Sequence, residues 1–91
     1  MVDKNDYNNF RQALLEEKTW PLKYMFKFIV PNTDGKVDRV KGMLPQNGVF
    51  SYKHTANLKY VSVTCTATMS NPDAIINVTQ QATSVGGVIA L

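Results

Sequence analysis

The clearest secondary-structure pattern in the sequence is LKYMFKFIV, at positions 22–30. Large apolar side chains occupy every second position, and lysines stand among the residues between them. Side chains alternate between the two faces of a β-strand, so this period of two predicts a strand with one buried face. The predicted core face holds Leu22, Tyr24, Phe26, Phe28 and Val30, and the opposite face holds Lys23, Met25, Lys27 and Ile29.

A helix is predicted before this strand, over residues 6–18. Tyr7, Phe10 and Leu14 recur at intervals of three and four residues, which is the spacing of one helix face. Pro21 follows the pattern and ends it, because proline disfavours helical geometry in the residue before it. The apolar stripe needs a partner surface, and the predicted places are the other face of the sheet, the sheet edge or a second subunit.

The segments after the strand follow the same two periodicities. The predicted elements are a helix over 37–44, strands over 49–55 and 58–69, a helix after the capping sequence SNPD at 70–73, and a strand over 88–91. After the first helix the order is β-α-β-β-α-β, which predicts an α+β, ferredoxin-like split βαβ fold with a four-stranded antiparallel sheet. The prediction is one domain over 1–91, with a helical extension at 1–19 and a ferredoxin-like core at 20–91.

Composition narrows the class of protein. The 91 residues are 44% hydrophobic and 19% charged, as in an ordinary globular domain. The net charge of +3 is mild, and nucleic-acid-binding domains usually cluster more basic residues on one face. No apolar run is long enough for a membrane span, and MVDKNDYNNF, at positions 1–10, lacks the apolar core of a secretory signal. With a single cysteine, these features predict a cytoplasmic protein.

Several segments together resemble the YbeD-like family of small bacterial proteins of unknown function. The resemblance is carried by MFKFIVPN at 25–32, DGKVDRVKGMLP at 34–45, KYVSVTCTATMSNPDAIINV at 59–78 and GVIAL at 87–91. It implies a ferredoxin-like fold similar to the ACT regulatory domain, which commonly pairs up and senses small molecules, in the bacterial cytoplasm. The sequence departs from the family pattern at Leu58, where relatives usually carry Gly, and at Thr79, where they are more often aromatic.

The turn after the first strand has two interpretations. In ACT domains an acidic residue and a Gly often precede the helix here, and the resemblance places Asn32, Thr33, Asp34 and Gly35 in analogous positions, as a candidate site for a small carboxylate-bearing effector. The alternative is chain punctuation, in which the side chain of Asn32 or Thr33 caps the helix and Asp34 complements its dipole.

Catalysis is not predicted. His54 is the single histidine and lacks an evident nucleophile or orienting partner, and Cys65 is predicted to face the core as an inert filler. No His, Cys and acidic cluster has metal-ligand spacing, so neither a metal nor a cofactor is expected. Acylphosphatases share this topology and use an arginine in the turn after the first strand, but residues 30–36 contain none. The chain is therefore predicted to be no enzyme.

Two functions are weighed below, and a third, a purely structural subunit of a larger assembly, cannot be separated from the first by sequence. The first is a non-enzymatic, ACT-like regulatory or adaptor module that forms a homo-oligomer or binds a protein partner, with a small-molecule effector as a further possibility. The second is a weak single-stranded nucleic-acid binder that uses Lys23, Lys27 and Tyr60 on the open sheet face. The second is disfavoured because only one aromatic side chain is placed there, whereas stacking on single strands usually uses several.

Overall fold

The computed structural model of the chain describes residues 4–16 and 19–91. It contains three helices and a four-stranded antiparallel sheet, so the predicted α+β class and strand count are confirmed. The elements are α1 Lys4–Leu15, β1 Leu22–Pro31, α2 Lys36–Met43, β2 Val49–His54, β3 Tyr60–Met69, α3 Pro72–Thr83 and β4 Ile89–Ala90. The first helix begins and ends earlier than predicted, and positions 17 and 18 of the predicted helix lie outside the described residues.

The strands lie in the order β2-β3-β1-β4, and every neighbouring pair is antiparallel. β1 and β3 pair along their whole lengths, from Leu22 opposite Met69 to Pro31 opposite Tyr60. β4 is short and pairs only with Phe28 and Ile29 of β1. The pairing makes β1 and β2 parallel to each other with β3 between them, and β3 and β4 parallel with β1 between them.

The predicted core face of β1 is the buried one. Phe26, Phe28 and Val30 are at most 2% exposed. Helices α2 and α3 cover this face, contributing Val40 and Ile75, both fully buried. Burying a large apolar side chain stabilises by about 1.5–3 kcal/mol, so this face supplies most of the packing energy. The alternate residues of β3 complete the core: Val61, Val63, Cys65, Ala67 and Met69.

Helix α3 begins as its sequence predicts. Asn71 is the N-cap residue, and its side-chain oxygen accepts a hydrogen bond from the N–H of Ala74 at 2.9 Å. Pro72 occupies the first turn, where its missing N–H costs nothing. The buried residues of α3 are Ile75, Ile76, Thr79 and Ala82.

The turn between β2 and β3 is longer than predicted, because β3 begins at Tyr60 rather than at Leu58. Leu58 has a φ of 60°, in the left-handed region that Gly adopts most easily. The Oδ1 atom of Asn57 accepts hydrogen bonds from the Lys59 N–H and the Thr55 hydroxyl, which closes the turn. The backbone at position 58 therefore favours Gly over the Leu that this chain carries.

Helix α1 packs against α3, in the layer of helices. Leu14 is buried in the same core as the sheet residues, and the Nη2 atom of Arg11 lies 2.9 Å from the Asp73 carboxylate at the start of α3. Of the three predicted places for this helix, the other face of the sheet is not the one it occupies: α1 lies against α3, and the two helices flank the β1–β4 side of the sheet. As a result, no described residue of a helix covers the other face.

Candidate binding surface on the open sheet face

The uncovered side of the sheet is called the open face here. It is formed by the odd-numbered residues of β1, β2 and β4 and the even-numbered residues of β3, which the strand register places side by side. Lys23, Lys27 and Tyr60 all lie on it, as predicted. The two lysines are four residues apart on one strand, so their Cα atoms are separated by roughly 13 Å.

The open face also holds residues that sequence reasoning did not single out. Lys53 of β2 lies opposite Ser62 and adds a third ammonium group. Val49 and Ile89 stand on the same face and are 75% and 56% exposed, and Met25 is 61% exposed. The alternation within β2 was the signal that could have placed Lys53. The centre of the face is lined by the hydroxyl row of Ser62, Thr64, Thr66 and Thr68.

Charge is distributed unevenly over this sheet. None of the four strands contains an Asp or Glu, so the open face has three lysines and no carboxylate. Among the described residues, no hydrogen bond or salt bridge engages the ammonium groups of Lys23, Lys27 or Lys53. An exposed surface of this kind attracts anionic groups and does not neutralise its own charge.

The turn over residues 32–38 differs from the predicted cap. Helix α2 begins after Gly35 without any side-chain cap, so capping by Asn32 or Thr33 is wrong. Asp34 and Gly35 both have left-handed φ values, 54° and 68°, which turn the chain sharply. The side-chain amide of Asn32 instead donates to the carbonyl oxygen of Leu58 at 3.1 Å.

This turn encloses a shallow polar depression of about 360 Å³, lined by Asn32, Thr33, Asp34 and Gly35 together with the first turn of α2. The four candidate effector-binding residues are therefore close together. The Lys36 N–H, the first of α2, donates to the Thr33 carbonyl oxygen at 3.0 Å, and no side chain caps this helix start. Effector binding at these residues stays a prediction.

A larger cavity, of about 740 Å³, lies between α1, α3 and the β1–β4 edge. Its walls include Tyr7 and Phe10 of α1 and Tyr24 and Phe26 of β1. Burial raises the pKa of the Tyr24 hydroxyl above its usual value, because the charged phenolate is poorly solvated there. The walls are mainly apolar, with the Tyr7 hydroxyl 3.4 Å from the Thr83 hydroxyl at one side.

The residues weighed for catalysis lie apart from these surfaces. His54 is exposed at the end of β2, and Cys65 is fully buried with its Sγ atom 3.7 Å from the carbonyl oxygen of Pro45. Burial also raises the pKa of the Cys65 thiol, which keeps it protonated and unreactive. Within residues 4–16 and 19–91, no group of three His, Cys, Asp or Glu side chains is arranged to hold a metal ion.

Comparison with protein-family models, with curated proteins and with solved structures finds no match for this chain. In the part of the chain that the structure describes, no helix combines the length and the apolar character needed to cross a membrane. Arguments about function therefore rest on the chain's own surfaces.

Proposed function

We propose that this protein is a non-enzymatic adaptor or regulatory module that binds an acidic partner protein on the open face of its sheet. The observation that carries the proposal is the composition of that face: exposed apolar side chains, three lysines and no carboxylate. Apolar area supplies affinity, and a positive rim selects a negative partner and speeds its association. We place this activity in the bacterial cytoplasm, following the YbeD-like resemblance and the free Cys65.

We also infer that residues 20–91 form a ferredoxin-like core, similar to the ACT domain. Support comes from the element order after α1, β-α-β-β-α-β, and from the two pairs of parallel strands that each have one antiparallel strand between them. This is the arrangement expected of two split βαβ units. A regulatory role would add a small effector at Asn32–Gly35, and an effector present at 100 times its Kd would stabilise the fold by about 2.7 kcal/mol in a thermal-shift screen of amino acids.

A second copy of the chain is a poorer occupant of the open face than an acidic partner. Two such faces packed together would bring lysines toward lysines with no acidic side chain to offset them, and like charges in such positions are destabilising. The predicted homo-oligomer therefore needs another surface. Sedimentation equilibrium at micromolar concentrations measures the oligomeric state directly.

The adaptor proposal is tested by affinity capture with paired charge variants. Thr64→Glu puts a negative charge at the centre of the open face, opposite Lys27, and Asn77→Glu adds the same charge on the exposed side of α3. We expect a protein that is retained by the wild type and by Asn77→Glu but released by Thr64→Glu, and its purified form should bind with the same ranking. Equal retention by the two variants would rule the open face out.

Single-stranded nucleic acid is the second candidate, because Lys23, Lys27 and Tyr60 share one face of the sheet. Binding of a fluorescent single-stranded RNA should then weaken steeply with salt, since each phosphate contact releases a counterion. The Tyr60→Ala, Lys27→Ala double variant should lose both the stacking and one unit of the salt slope. Unchanged binding by this variant would remove the nucleic-acid alternative.

A further inference from the structure

Strand β1 has an edge that β4 covers only in part. β4 pairs with Phe28 and Ile29, and the last hydrogen bond beyond it runs from the Leu91 N–H to the Lys27 carbonyl oxygen at 2.9 Å. β1 itself extends back to Leu22. The edge over residues 22–26 therefore lies in line with β4 and has no strand beside it among the described residues.

The hydrogen bond between Leu91 and Lys27 shows which backbone groups of β1 point toward this edge. The Lys27 carbonyl points toward β4, and the N–H and C=O of one strand residue point to the same side. Because the direction alternates along the strand, the N–H and C=O of Lys23 and Met25 also point outward. No hydrogen bond within the described part of the chain reaches these groups, and exposed groups of this kind can pair with another strand.

A groove for side chains lies beside the same edge. It is the cavity of about 740 Å³ whose walls include Tyr7, Phe10, Tyr24 and Phe26. A strand added to the edge would direct every second side chain toward this groove and the others toward the open face. The groove is mainly apolar, so large apolar or aromatic side chains suit it.

On the open face, the same added strand would lie beside Lys23 and Lys27. A side chain opposite Met25 would be diagonal to both lysines, within reach of long side chains. Since no strand contributes a carboxylate there, acidic residues are the matching choice. A second copy of β1 would instead add lysines to the same row, so it does not match.

We propose that the β1 edge over residues 22–26 binds an extended peptide in which apolar residues alternate with acidic ones. The peptide would continue the line of β4, antiparallel to β1, with its apolar side chains in the groove and its acidic side chains toward Lys23 and Lys27. Main-chain hydrogen bonds to Lys23 and Met25 supply affinity, and the alternating side chains supply specificity. This site shares Lys23 and Lys27 with the open face, but its main-chain hydrogen bonds lie at the sheet edge, so protection of the edge amides distinguishes it from a partner that covers the open face.

The direct test is amide hydrogen exchange with a short synthetic peptide in which valine or phenylalanine alternates with glutamate. We expect the peptide to slow exchange at the Lys23 and Met25 amides, while Tyr24 and Phe26, already paired with β3, change little. A peptide with lysine in place of glutamate is the control. No added protection at Lys23 and Met25, or protection that grows with protein concentration without peptide, would overturn the proposal.

Two variants complete the test by fluorescence anisotropy. Met25→Pro removes an outward N–H and leaves the β3 pairing of its neighbours, so peptide affinity should fall by a factor of about ten relative to Met25→Ala. The Lys23→Glu, Lys27→Glu double variant should no longer bind the glutamate peptide and should bind the lysine peptide instead. That exchange of specificity does not depend on Met25→Pro being folded. Failure to exchange specificity would contradict the proposed register.

Discussion

The two faces of β1 are made by the same strand and have opposite roles. On one face Phe28 is 1% exposed and packs in the core under the helices; on the other, Met25 is 61% exposed with lysines on either side. The covered face has enough apolar material to hold the fold, and the open face combines exposed apolar side chains with three lysines and no acidic side chain. Under the proposed function, alternate residues of one strand therefore serve stability and binding.

Truncating one residue on each face of β1 should give the largest difference between them. Phe28→Ala should lower the free energy of unfolding by about 3–5 kcal/mol, enough to unfold much of a small domain, because it leaves a cavity in the core. Met25→Ala should change it by less than about 0.5 kcal/mol, because its side chain is mostly in solvent. Urea unfolding followed by circular dichroism measures both. Similar losses in the two variants would mean that the open face is buried in solution.

The helix layer can be tested at α1. Leu14 is 6% exposed and its neighbour Leu15 is 54% exposed, so the two form a matched pair. Leu14→Ala should cost about 2 kcal/mol and Leu15→Ala close to nothing. The same urea titration applies. A large loss of unfolding free energy for Leu15→Ala would show that α1 packs on the domain through a different side than the one that carries Leu14.

Alkaline pH provides a test of the covered face alone. The pKa of the Cys65 thiol is raised in the folded state, so its contribution to stability is present below the ordinary thiol value of about 9.0 and is lost as pH rises above it. For one such group, the free energy of unfolding falls by up to about 1.4 kcal/mol per pH unit. The pKa of the Tyr24 hydroxyl is also raised, so this group lowers the stability further when the pH rises above about 10.0.

Cys65→Ala is the control for this pH dependence. It should be less stable at neutral pH but should show a flatter decline between about pH 9 and 10. Stability would be followed by urea midpoints across the alkaline range. An equally steep decline in the variant would assign the effect to groups other than the thiol.

The smallest expected effect lies at the β2–β3 turn, which belongs to neither face. Leu58 is 62% exposed and has a left-handed φ, so Leu58→Gly relieves backbone strain and loses little burial. We expect a gain of about 0.5–1 kcal/mol, since a left-handed L-residue costs roughly 1–2 kcal/mol and Gly loses more backbone entropy on folding. Thermal unfolding measures it, and Leu58→Ala, which retains the strain, should show no such gain.

Much of this architecture could be predicted from the sequence. Alternation over 22–30 identifies both faces of β1, and SNPD at 70–73 identifies the start of α3, because each pattern is local and repeated. The packing of α1 could not be predicted, since its apolar stripe would suit any apolar surface. The missing cap at Asn32 follows from a long-range contact with Leu58, which no local pattern records.

The candidate binding surface was predicted only in part. Lys23, Lys27 and Tyr60 could be placed on one face by alternation. Alternation within β2 separates Lys53 from the aromatic residues of that strand, and the β2–β3 register shows that Lys53 shares the face with the other two lysines. The partly covered β1 edge depends on how few residues of β4 pair, and strand ends are poorly predicted from sequence. Tertiary pairing, rather than composition, therefore brings the surface together.

Helix α2 is an internal control for the binding of acidic partners at the open face, because it also carries three cations. Its lysines are engaged, however: Lys36 Nζ donates to the Gly86 carbonyl oxygen at 2.9 Å, and Lys41 Nζ lies 5.1 Å from the centre of the Tyr52 ring. Asp34 and Asp38 stand near Arg39 in sequence and offset the remaining charge. An acidic partner should therefore prefer the open face to α2.

The most direct measurement is a titration of isotope-labelled protein with polyglutamate, followed by amide and lysine side-chain chemical shifts. We expect the largest changes at Lys23, Lys27 and Lys53 and along the hydroxyl row of β3. Changes that centre on Lys36, Arg39 and Lys41 of α2, or that are spread evenly over all the exposed lysines, would contradict binding at the open face.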